Sequence, residues 1–353
     1  MNSSKAVGLA DVAREAGVSL ATASRALNSA YGVSAATRER VAEVARRLEY
    51  VASPDASRLA TGATRTVALV VPHIDRWYFG EMVNGLEEVL RQAGHDVLLY
   101  HVGDPGGRHA FFEHLPARRK VDAIVVVAVP VTEHERRRLE LMGVTIVAAG
   151  GQDATYPYVS VDDATAVRQA TEHLLRLGHR RIATITAVDP DRADQPARHG
   201  RTRGFYEAMA AAGVPVDEDL VVTTTWGGVQ AAEAMERLLS ARTFPTAVLA
   251  HSDEMALGAM RTIRRAGLRV PEDISVVGID DHPLAELVDL TTVRQPVREQ
   301  GTRTALLLLA LLRGEQPDPA QKLPTRVVVR ATTAAVPAQE HSPAHPAARR
   351  TRH

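Results

Sequence analysis

Polar and aromatic side chains follow several apolar runs of this sequence, at the points where buried strands would end. Rings can cover the apolar faces of a ligand with many hydroxyl groups, while carboxylates and guanidinium groups form charge-assisted hydrogen bonds with those hydroxyls. The pattern therefore predicts a binding site for a sugar-like small molecule. The candidate ligand contacts are His73, Tyr78, Phe79, Asp162, Arg198, Arg201, Trp226, Asp253 and Asp280.

Each of these residues has a structural alternative as a helix cap or a surface loop residue. Asp253 comes directly before a predicted helix, so N-capping explains it as well as ligand binding does. Asp280 ends a Gly-Ile-Asp-Asp run at a predicted strand end, which favours a ligand contact. The loop at 189–201 is unusually charged, and the sequence does not rank Arg198 above or below Arg201.

Motifs for catalysis and cofactor binding are absent from the sequence. It has no G-x-G-x-x-G or G-x-x-x-x-G-K-[ST] phosphate cradle, no H-E-x-x-H zinc motif and no G-x-S-x-G nucleophile elbow. Its 14 histidines show no ligand spacing, and without cysteine it can form neither disulfides nor thiolate metal sites. We predict no enzymatic activity, no cofactor and no bound metal.

A second group of candidate contacts lies near the start of the chain. Leu9, Val12, Ala13 and Ala16 have the spacing of one helical face, Gly17 can end that helix, and a Ser cap at 19 can begin another. Two short helices joined by such a turn are typical of a helix-turn-helix, whose second helix enters the DNA major groove. An ordinary helical hairpin is the structural alternative.

The second helix of this predicted module has two distinct faces. Ala23, Ala26 and Leu27 would close on the first helix, and Ser34 would cap a third helix over 37–48 that completes a small core. The opposite face would point outward. It carries Leu20, Ala21, Ser24 and Arg25.

Charge and length set the broad class of protein. The 353 residues carry no net charge, and residues 1–62 contain eight basic and six acidic residues, a net charge of +2. This charge is too small for bulk nucleic-acid binding, so two modules in a dimer would be needed for useful DNA affinity. The sequence has neither an apolar run of 18 residues nor a signal-peptide core, so we expect a cytoplasmic protein without membrane contact.

Apolar runs and amphipathic helical segments alternate from residue 65 onward. The runs at 66–72, 96–102, 121–130 and 144–150 are separated by helical patterns, and the same alternation restarts after residue 165. Such alternation predicts βαβ units and parallel sheets. Two similar doubly wound halves imply a cleft between them, because open α/β sheets bind ligands beyond the carboxyl ends of their strands.

Two further segments connect or follow these domains. Residues 54–60 can form a helix capped by Ser53, but seven residues are too few for a helix that is stable alone. This segment could act as a switch that folds conditionally, and a plain linker is the alternative. Residues 334–353 are rich in Pro, Ala and Arg without an apolar period, so we predict a disordered tail.

Several ordered segments resemble the LacI/GalR family of bacterial transcriptional repressors. They include LADVAREAGVSLATASRALN at 9–28, LGHRRIA at 177–183, SDEMALGAM at 252–260 and RVPEDISVVGIDD at 269–281. The resemblance implies a homodimer on a pseudo-palindromic double-stranded DNA operator, and a core like that of periplasmic sugar-binding proteins. It also implies that the chain crosses between the core subdomains near residues 160, 292 and 323.

These inferences together give the expected domain organisation. The N-terminal all-α helix-turn-helix head spans 1–49, and a hinge helix or linker spans 50–63. The effector-binding core spans 64–333. Its two doubly wound parallel-sheet subdomains cover about 64–160 plus 292–322 and about 161–291 plus 323–333, and the tail spans 334–353.

The resemblance also assigns roles in DNA binding. Leu20 and Ala21 can offer only apolar contacts to bases, whereas Arg25 can bind guanine through two hydrogen bonds. Leu59 of the hinge would be a wedge that enters the minor groove and kinks the duplex. The predicted DNA contacts are Ser19, Leu20, Ala21, Thr22, Ser24, Arg25, Asn28, Ala56 and Leu59.

In the cleft, the resemblance places Tyr78 and Phe79 at the family's aromatic pair, Trp226 at its stacking ring, Arg201 at its ligand-binding arginine and Asp280 at its hydroxyl-binding aspartate. Three positions depart from the family pattern, since His73, Trp77 and Ser252 stand where Asp, Pro and Asn are common.

The function predicted from the sequence is a DNA-binding repressor whose operator affinity is controlled by a small-molecule effector, a sugar or a sugar derivative. The competing hypotheses are a transport binding protein, which a secretion signal would support, and an enzyme, which turnover of a cleft ligand would support.

Overall fold

The computed structural model describes residues 7–27, 32–50, 63–151, 155–188, 200–242 and 244–336. The chain divides into two compact units, residues 1–65 and residues 66–353.

The first unit contains the predicted helix-turn-helix. Its described helices are α1 (Leu9–Glu15), α2 (Leu20–Leu27) and α3 (Ala35–Arg47). Gly17 lies in the turn with a φ of +64°, a conformation that favours glycine. Ser19 Oγ accepts a hydrogen bond from the Thr22 backbone N–H at 3.1 Å, and Ser34 caps α3 in the same way. Both predicted caps are confirmed.

The three helices enclose a small apolar core. Val12 and Val41 are fully buried, and Ala23 and Ala26 of α2 pack beside them. The opposite face of α2 is open to solvent, because Leu20 is 54% exposed and Ala21 and Arg25 are also exposed. The head therefore folds around the predicted internal face of α2 and leaves the predicted outward face free.

The second unit consists of alternating strands and helices. Its strands are β1 (Thr66–Val71), β2 (Asp96–His101), β3 (Ala123–Val127), β4 (Thr145–Ala149), β5 (Tyr158–Val161), β6 (Ile182–Ala187), β7 (Val221–Thr224), β8 (Ala247–Ala250), β9 (Ser275–Asp280), β10 (Thr291–Arg294), β11 (Ala320–Leu323) and β12 (Arg326–Val328). Its described α-helices are α4 (Trp77–Gln92), α5 (Pro105–His114), α6 (Glu133–Glu140), α7 (Asp163–Arg176), α8 (Arg201–Ala211), α9 (Gly228–Leu239), α10 (Asp253–Arg265), α11 (Pro283–Leu287) and α12 (Val297–Leu312).

These strands form two six-stranded sheets. One sheet has the order β11-β5-β4-β3-β1-β2, with all pairs parallel, and we call it and its helices the N-subdomain. The other has the order β12-β10-β9-β8-β6-β7, in which only the β10–β12 pair is antiparallel, and it defines the C-subdomain. The two doubly wound subdomains predicted from the sequence are confirmed.

Each sheet is covered by helices on both faces. In the N-subdomain, α4 and α12 cover one face and α5 and α6 the other, whereas in the C-subdomain α9 and α10 lie opposite α7 and α8. The helices α4 and α12 approach each other closely at Gly85 and Gly301, where a Cβ atom would collide with the facing backbone. This double covering explains why the strands read as continuous apolar runs.

The chain passes between the subdomains three times. It crosses after β5, again between β10 and α12, and finally between β11 and β12. The second crossing lies at 295–296, a few residues beyond the position expected from the sequence. The helix α12 begins at Val297, directly after this crossing.

The predicted hinge contacts Ala56 and Leu59, and Asn28 of the head, lie outside the described residues. So do residues 337–353 of the predicted tail. At the start of that predicted tail, Ala334 and Val336 are hydrogen-bonded to the C-subdomain. The Ala334 carbonyl oxygen lies 3.0 Å from His179 Nε2, and the Val336 N–H donates to the Leu177 carbonyl.

Candidate functional site

A cavity of about 690 Å³ lies between the N- and C-subdomains. Both subdomains contribute to its wall through residues at or just after strand ends and through the first turns of helices. The N-subdomain contributes Pro72, His73, Arg76, Tyr78, Phe79, Ala128, Val129, Pro130, Val131, Ala148, Gly150, Gly151, Val161 and Gln300. The C-subdomain and its crossing contribute Asp163, Ala187, Gly200, Arg201, Thr202, Arg203, Trp226, His251, Ser252, Asp280 and Gln295.

The N-subdomain side of the cavity is built around an aromatic pair. Tyr78 and Phe79 lie in the first turn of α4, and their rings meet edge to face at 5.2 Å. His73, from the loop after β1, lies 5.4 Å from the Phe79 ring. Burial, and then the negative charge of Asp163, raise the pKa of Tyr78, so its hydroxyl keeps its proton.

The C-subdomain side carries the charged groups. Arg201, the first residue of α8, donates from Nε to Asp163 Oδ1 at 2.8 Å and from a terminal nitrogen to the His251 carbonyl. Burial alone would lower the pKa of Arg201, but Asp163 and Asp280 hold it above its ordinary value. The guanidinium lies over the Trp226 ring at 5.7 Å from its centroid.

A row of amides connects Asp280 to the wall formed by α12. Gln295 donates from Nε2 to Asp280 Oδ1 at 2.5 Å, and Gln300 donates from Nε2 to Gln295 Oε1 at 3.4 Å. Burial raises the pKa of Asp280 above its ordinary value, while Arg201 and the Gln295 amide favour the charged form. Since Asp280 has a φ of +134°, its position at the end of β9 also carries backbone strain.

Direct contacts bridge the two subdomains beside the cavity. Arg76 donates from both Nε and a terminal nitrogen to Glu254 Oε2, at 3.2 and 3.1 Å, and its guanidinium lies 4.9 Å from the Trp226 ring centroid. Next to it, the rings of Trp77 and His282 lie 4.9 Å apart. These contacts join the start of α4 to the starts of α10 and α11.

Two predicted ligand contacts lie outside the cavity wall, and a third lies outside the described residues. Asp162 caps α7 by accepting from the Thr165 N–H at 3.0 Å, and its neighbour Asp163 faces the cavity instead. Asp253 is fully buried, because its carboxylate accepts from Thr292 Oγ1 at 2.6 Å and from the His282 N–H at 2.8 Å. Arg198 belongs to the undescribed loop.

Asp253 does not act as an N-cap either, which was the structural alternative for this residue. Ser252 caps α10, with Oγ accepting from the Met255 N–H at 3.3 Å, and Asp253 is the first residue of the helix. Its carboxylate ties α10 to β10 and to the segment after β9. This role accounts for a buried acid without a ligand.

The sequence interpretation missed several polar cavity residues, among them Arg76, His251, Gln295 and Gln300. His251 and Gln295 directly follow β8 and β10, so the rule that ligands meet strand ends could have found them. Gln300 is the fourth residue of α12, and no local pattern distinguishes it from an ordinary helical surface residue.

The head presents a separate candidate surface on the exposed side of α2. Leu20, Ala21 and Arg25 lie there, and Thr22 and Ser24 are half-buried at its edge. Arg25, exposed on this surface, donates from Nε to the Ala21 carbonyl oxygen at 3.2 Å. Within the described part of the chain, no helix is both long and apolar enough to cross a membrane.

The sequence matches two known families over separate regions. Residues 8–53 match bacterial regulatory proteins of the lacI family, and residues 171–333 match the periplasmic binding protein-like domain. The transcriptional repressor CytR of Escherichia coli strain K12 is 32% identical over 337 residues, which cover 94% of this chain and 98% of CytR.

Two solved structures give the same assignment. The lac repressor dimer bound to operator and the anti-inducer ONPF matches with a TM-score of 0.82 at 28% identity, covering 94% of this chain and all of the other. The transcriptional regulator CelR in complex with cellobiose matches with a TM-score of 0.69 at 33% identity, covering 92% and 99% of the two chains.

The structure and the relatives therefore give the same assignment. The chain has a helix-turn-helix head and two parallel-sheet subdomains with a cavity between them, and its relatives match it over nearly its whole length. The family regulates transcription and is not enzymatic. This chain belongs to the lacI family of bacterial DNA-binding transcriptional regulators, with an effector-binding core.

Proposed function

We propose that this regulator is a repressor that binds a pseudo-palindromic operator as a homodimer and is controlled by a sugar in the cavity. The observation that carries the proposal is the position of the cavity between two subdomains that are linked by three chain crossings. A ligand that contacts both walls must favour one subdomain arrangement over another, by the difference between its affinities for the two.

The composition of the cavity wall supports a sugar as the effector. Tyr78, Phe79 and Trp226 supply rings for the apolar faces of a pyranose or furanose, and Arg201 and Asp280 can bind its hydroxyls. A volume of about 690 Å³ suits a mono- or disaccharide. The CelR structure contains cellobiose, and another lacI-family structure at 27% identity contains ribose.

The exposed face of α2 is the proposed base-reading surface. Leu20 and Ala21 would make apolar contacts, for example to thymine methyl groups, and Arg25 would bind guanine in the major groove. Ser19, Thr22, Ser24 and Asn28 complete the proposed contacts of the head, and Ala56 and Leu59 are proposed for the minor groove.

Exposed apolar residues of the N-subdomain support a homodimer. Leu98 and Leu99 lie on β2, the edge strand of its sheet, and are 37% and 48% exposed. Leu306 on α12 is 53% exposed. Edge strands with apolar side chains favour association with another surface, and the lac repressor structure cited above is a dimer.

The proposed coupling between cavity and operator runs through residues 50–63. A seven-residue helix is too short to be stable alone, so its formation would depend on the partner subunit and on DNA. A change in subdomain arrangement would then shift this folding equilibrium and change operator affinity. Couplings of this kind are typically about 1–3 kcal/mol.

The test is to select preferred operators from a random duplex library with the full-length chain and then to titrate the selected duplex with and without ribose or cellobiose. We expect a pseudo-palindromic consensus and at least a fivefold change in affinity with one of the sugars, since 1 kcal/mol is about a fivefold effect. The Asp280→Ala variant should bind the operator normally and lose the sugar response. Binding without sequence preference would contradict the repressor function.

A further inference from the structure

Two polar side chains in the cavity wall each have a buried atom without a hydrogen-bond partner among the described residues. These atoms are Gln300 Oε1 and His251 Nε2, in residues that are 0% and 2% exposed. Most buried polar atoms in folded proteins are paired, because an unpaired one loses its hydration without compensation. Two unpaired atoms in the wall of one cavity therefore point to polar groups supplied by a ligand.

The hydrogen bonds around Gln300 fix which end of its amide is available. Asp280 can only accept when ionised, so Gln295 must donate to it from Nε2 and present Oε1 to its other neighbour. Gln300 donates to that oxygen from Nε2. Its own carbonyl oxygen is therefore left as an acceptor, and the matching ligand group is a donor such as a hydroxyl.

His251 contributes a neutral imidazole and no positive charge. Burial, and then the neighbouring Arg201 guanidinium, lower its pKa to about 3. A neutral ring nitrogen can exchange one hydrogen bond with a hydroxyl, which is both donor and acceptor. It offers no charge-assisted bond to a carboxylate or phosphate.

The arginines of the cavity wall are already paired with carboxylates. The pairs are Arg76 with Glu254 at 3.1 Å, Arg201 with Asp163 at 2.8 Å and Arg203 with Glu207 at 3.4 Å. Asp280 adds a further acidic group to the wall. An anionic ligand would therefore face the Asp280 carboxylate and the Gln300 carbonyl oxygen, both of which repel negative charge. Among the described residues of the wall, it would find no arginine free of a carboxylate partner to compensate for this repulsion.

We infer that Gln300 and His251 are specificity-determining residues that select an uncharged, hydroxyl-bearing ligand over its anionic derivatives. The inference rests on the proposed function, because it assumes that the effector occupies this cavity. It deepens that proposal by naming the class of sugar, a free sugar or glycoside as opposed to a sugar phosphate or sugar acid. It also assigns a role to two residues that the family resemblance did not single out.

The first test uses the full-length chain without ligand at neutral pH and compares matched pairs of variants. His251→Leu removes an unpaired nitrogen, and Gln300→Met removes an unpaired oxygen together with the 3.4 Å hydrogen bond to Gln295. The matched variants His179→Leu and Gln295→Met remove imidazole and amide groups that are hydrogen-bonded in the folded chain. We expect His251→Leu to unfold within about 1 °C of the wild-type Tm or above it, and the two matched variants to lose about 3 °C or more. Gln300→Met, which loses one long hydrogen bond as well as the unpaired oxygen, should lose less than Gln295→Met. An equal loss for Gln300→Met and Gln295→Met would overturn the inference.

The second test measures ligand-induced shifts of Tm with paired probes that differ only in charge. The pairs are ribose with ribose 5-phosphate and cellobiose with cellobionate. We expect a neutral probe to raise Tm more than its anionic partner, and Gln300→Met or His251→Leu to weaken its binding by about 10- to 100-fold. The His179→Leu variant, whose ring lies outside the cavity wall, should retain the wild-type affinity.

The outcomes separate the inference from the function on which it rests. A larger shift with an anionic probe, or unchanged binding by Gln300→Met, would overturn the inference while leaving the cavity as an effector site. No shift with any of the four probes would count against a sugar effector, and the ligand-free comparison would still decide whether these two atoms are unpaired.

Discussion

The two candidate binding surfaces of this regulator are built on opposite physical principles. The exposed face of α2 consists of side chains that the head does not need for folding, since its core uses Val12, Ala23 and Val41 instead. The cavity wall is formed by buried charged and amide groups such as Arg201 and Asp280, which bind one another as well as any ligand. A change in the first surface should leave the fold intact, whereas removal of a paired, buried charge from the second should destabilise it.

This difference has a simple energetic cause. An exposed side chain is hydrated in the free protein, so removing it changes folding free energy by at most about 0.5 kcal/mol. A buried charge has lost its hydration, and removal of its partner leaves that loss uncompensated. The contrast can be tested at four positions, from the cavity wall to its mouth and in the head.

Arg201→Ala is expected to have the largest effect. It leaves Asp163 and Asp280 without the guanidinium that faces both, so the free energy of unfolding should fall by about 3–5 kcal/mol. The measurement is denaturant unfolding followed by circular dichroism. Arg203→Ala, two residues along α8, removes a guanidinium that is 54% exposed and should cost less than about 1 kcal/mol. Equal losses for the two variants would contradict the contrast.

Arg25→Ala should leave the stability of the fold almost unchanged and should reduce the sequence specificity of DNA binding. Stability should stay within about 0.5 kcal/mol of the wild type, while discrimination at one base pair of the operator should fall by about 1–3 kcal/mol. Binding to a set of single-base operator variants measures this change. Arg46→Ala on α3, where the side chain is 72% exposed, serves as the control for loss of a head arginine. Uniform weakening on all duplexes would argue against base reading by Arg25.

His251 gives the cavity a predictable response to acid. Its pKa is about 3 in the folded chain, because burial and Arg201 disfavour the proton, and is near 6.5 when unfolded. The unfolded state therefore binds more protons below pH 6.5, and stability falls by about 1.4 kcal/mol per pH unit down to the folded pKa.

The expected result is that wild type loses about 2 kcal/mol more than His251→Leu between pH 7.5 and pH 5. Unfolding curves of both proteins at the two pH values measure it. Parallel losses would show that the imidazole titrates normally in the folded chain. No exposed group of α2 should give a comparable difference.

Arg76→Ala should have the smallest effect, since the ion pair with Glu254 lies at the cavity mouth with side chains 17% and 29% exposed. We expect a loss of about 1 kcal/mol from the ion pair and the contact with Trp226 together. A double-mutant cycle with Glu254→Ala isolates the pair, with an expected coupling of about 0.5–1 kcal/mol. Zero coupling would show that the Arg76–Glu254 ion pair does not stabilise the contact between the subdomains.

The sequence predicted those features that depend on local pattern. The caps at Ser19 and Ser34, the two faces of α2 and the alternating strands and helices all follow from short-range preferences, and the structure confirms them. Of the nine predicted cavity residues, six line it, namely His73, Tyr78, Phe79, Arg201, Trp226 and Asp280. Each lies at a strand end or in a first helical turn that the apolar pattern already located.

The remaining site features depend on contacts between distant segments. Asp253 stands next to a predicted strand end like the other candidates, but its carboxylate binds Thr292, which is 39 residues away. Asp162 is different, because it caps α7 through the Thr165 N–H, a local contact that the helix-cap alternative already allowed. Gln300 reaches the cavity only because the chain crosses between subdomains after β10. A one-dimensional pattern reveals neither the role of Asp253 nor that of Gln300. The partner of Asp253 is 39 residues away, and Gln300 meets groups of a different subdomain.

The positions of the two indole rings have a practical consequence. Trp77 and Trp226 are the only tryptophans of the sequence, and both make contacts across the cleft, with His282 and Arg76. Emission excited at the red edge of indole absorption therefore comes entirely from that region, and the head contributes none. A change of this fluorescence when operator is added without any sugar would show that DNA binding alters the cleft. Thermodynamic reciprocity requires this effect, because a ligand that changes operator affinity must have its own affinity changed by the operator.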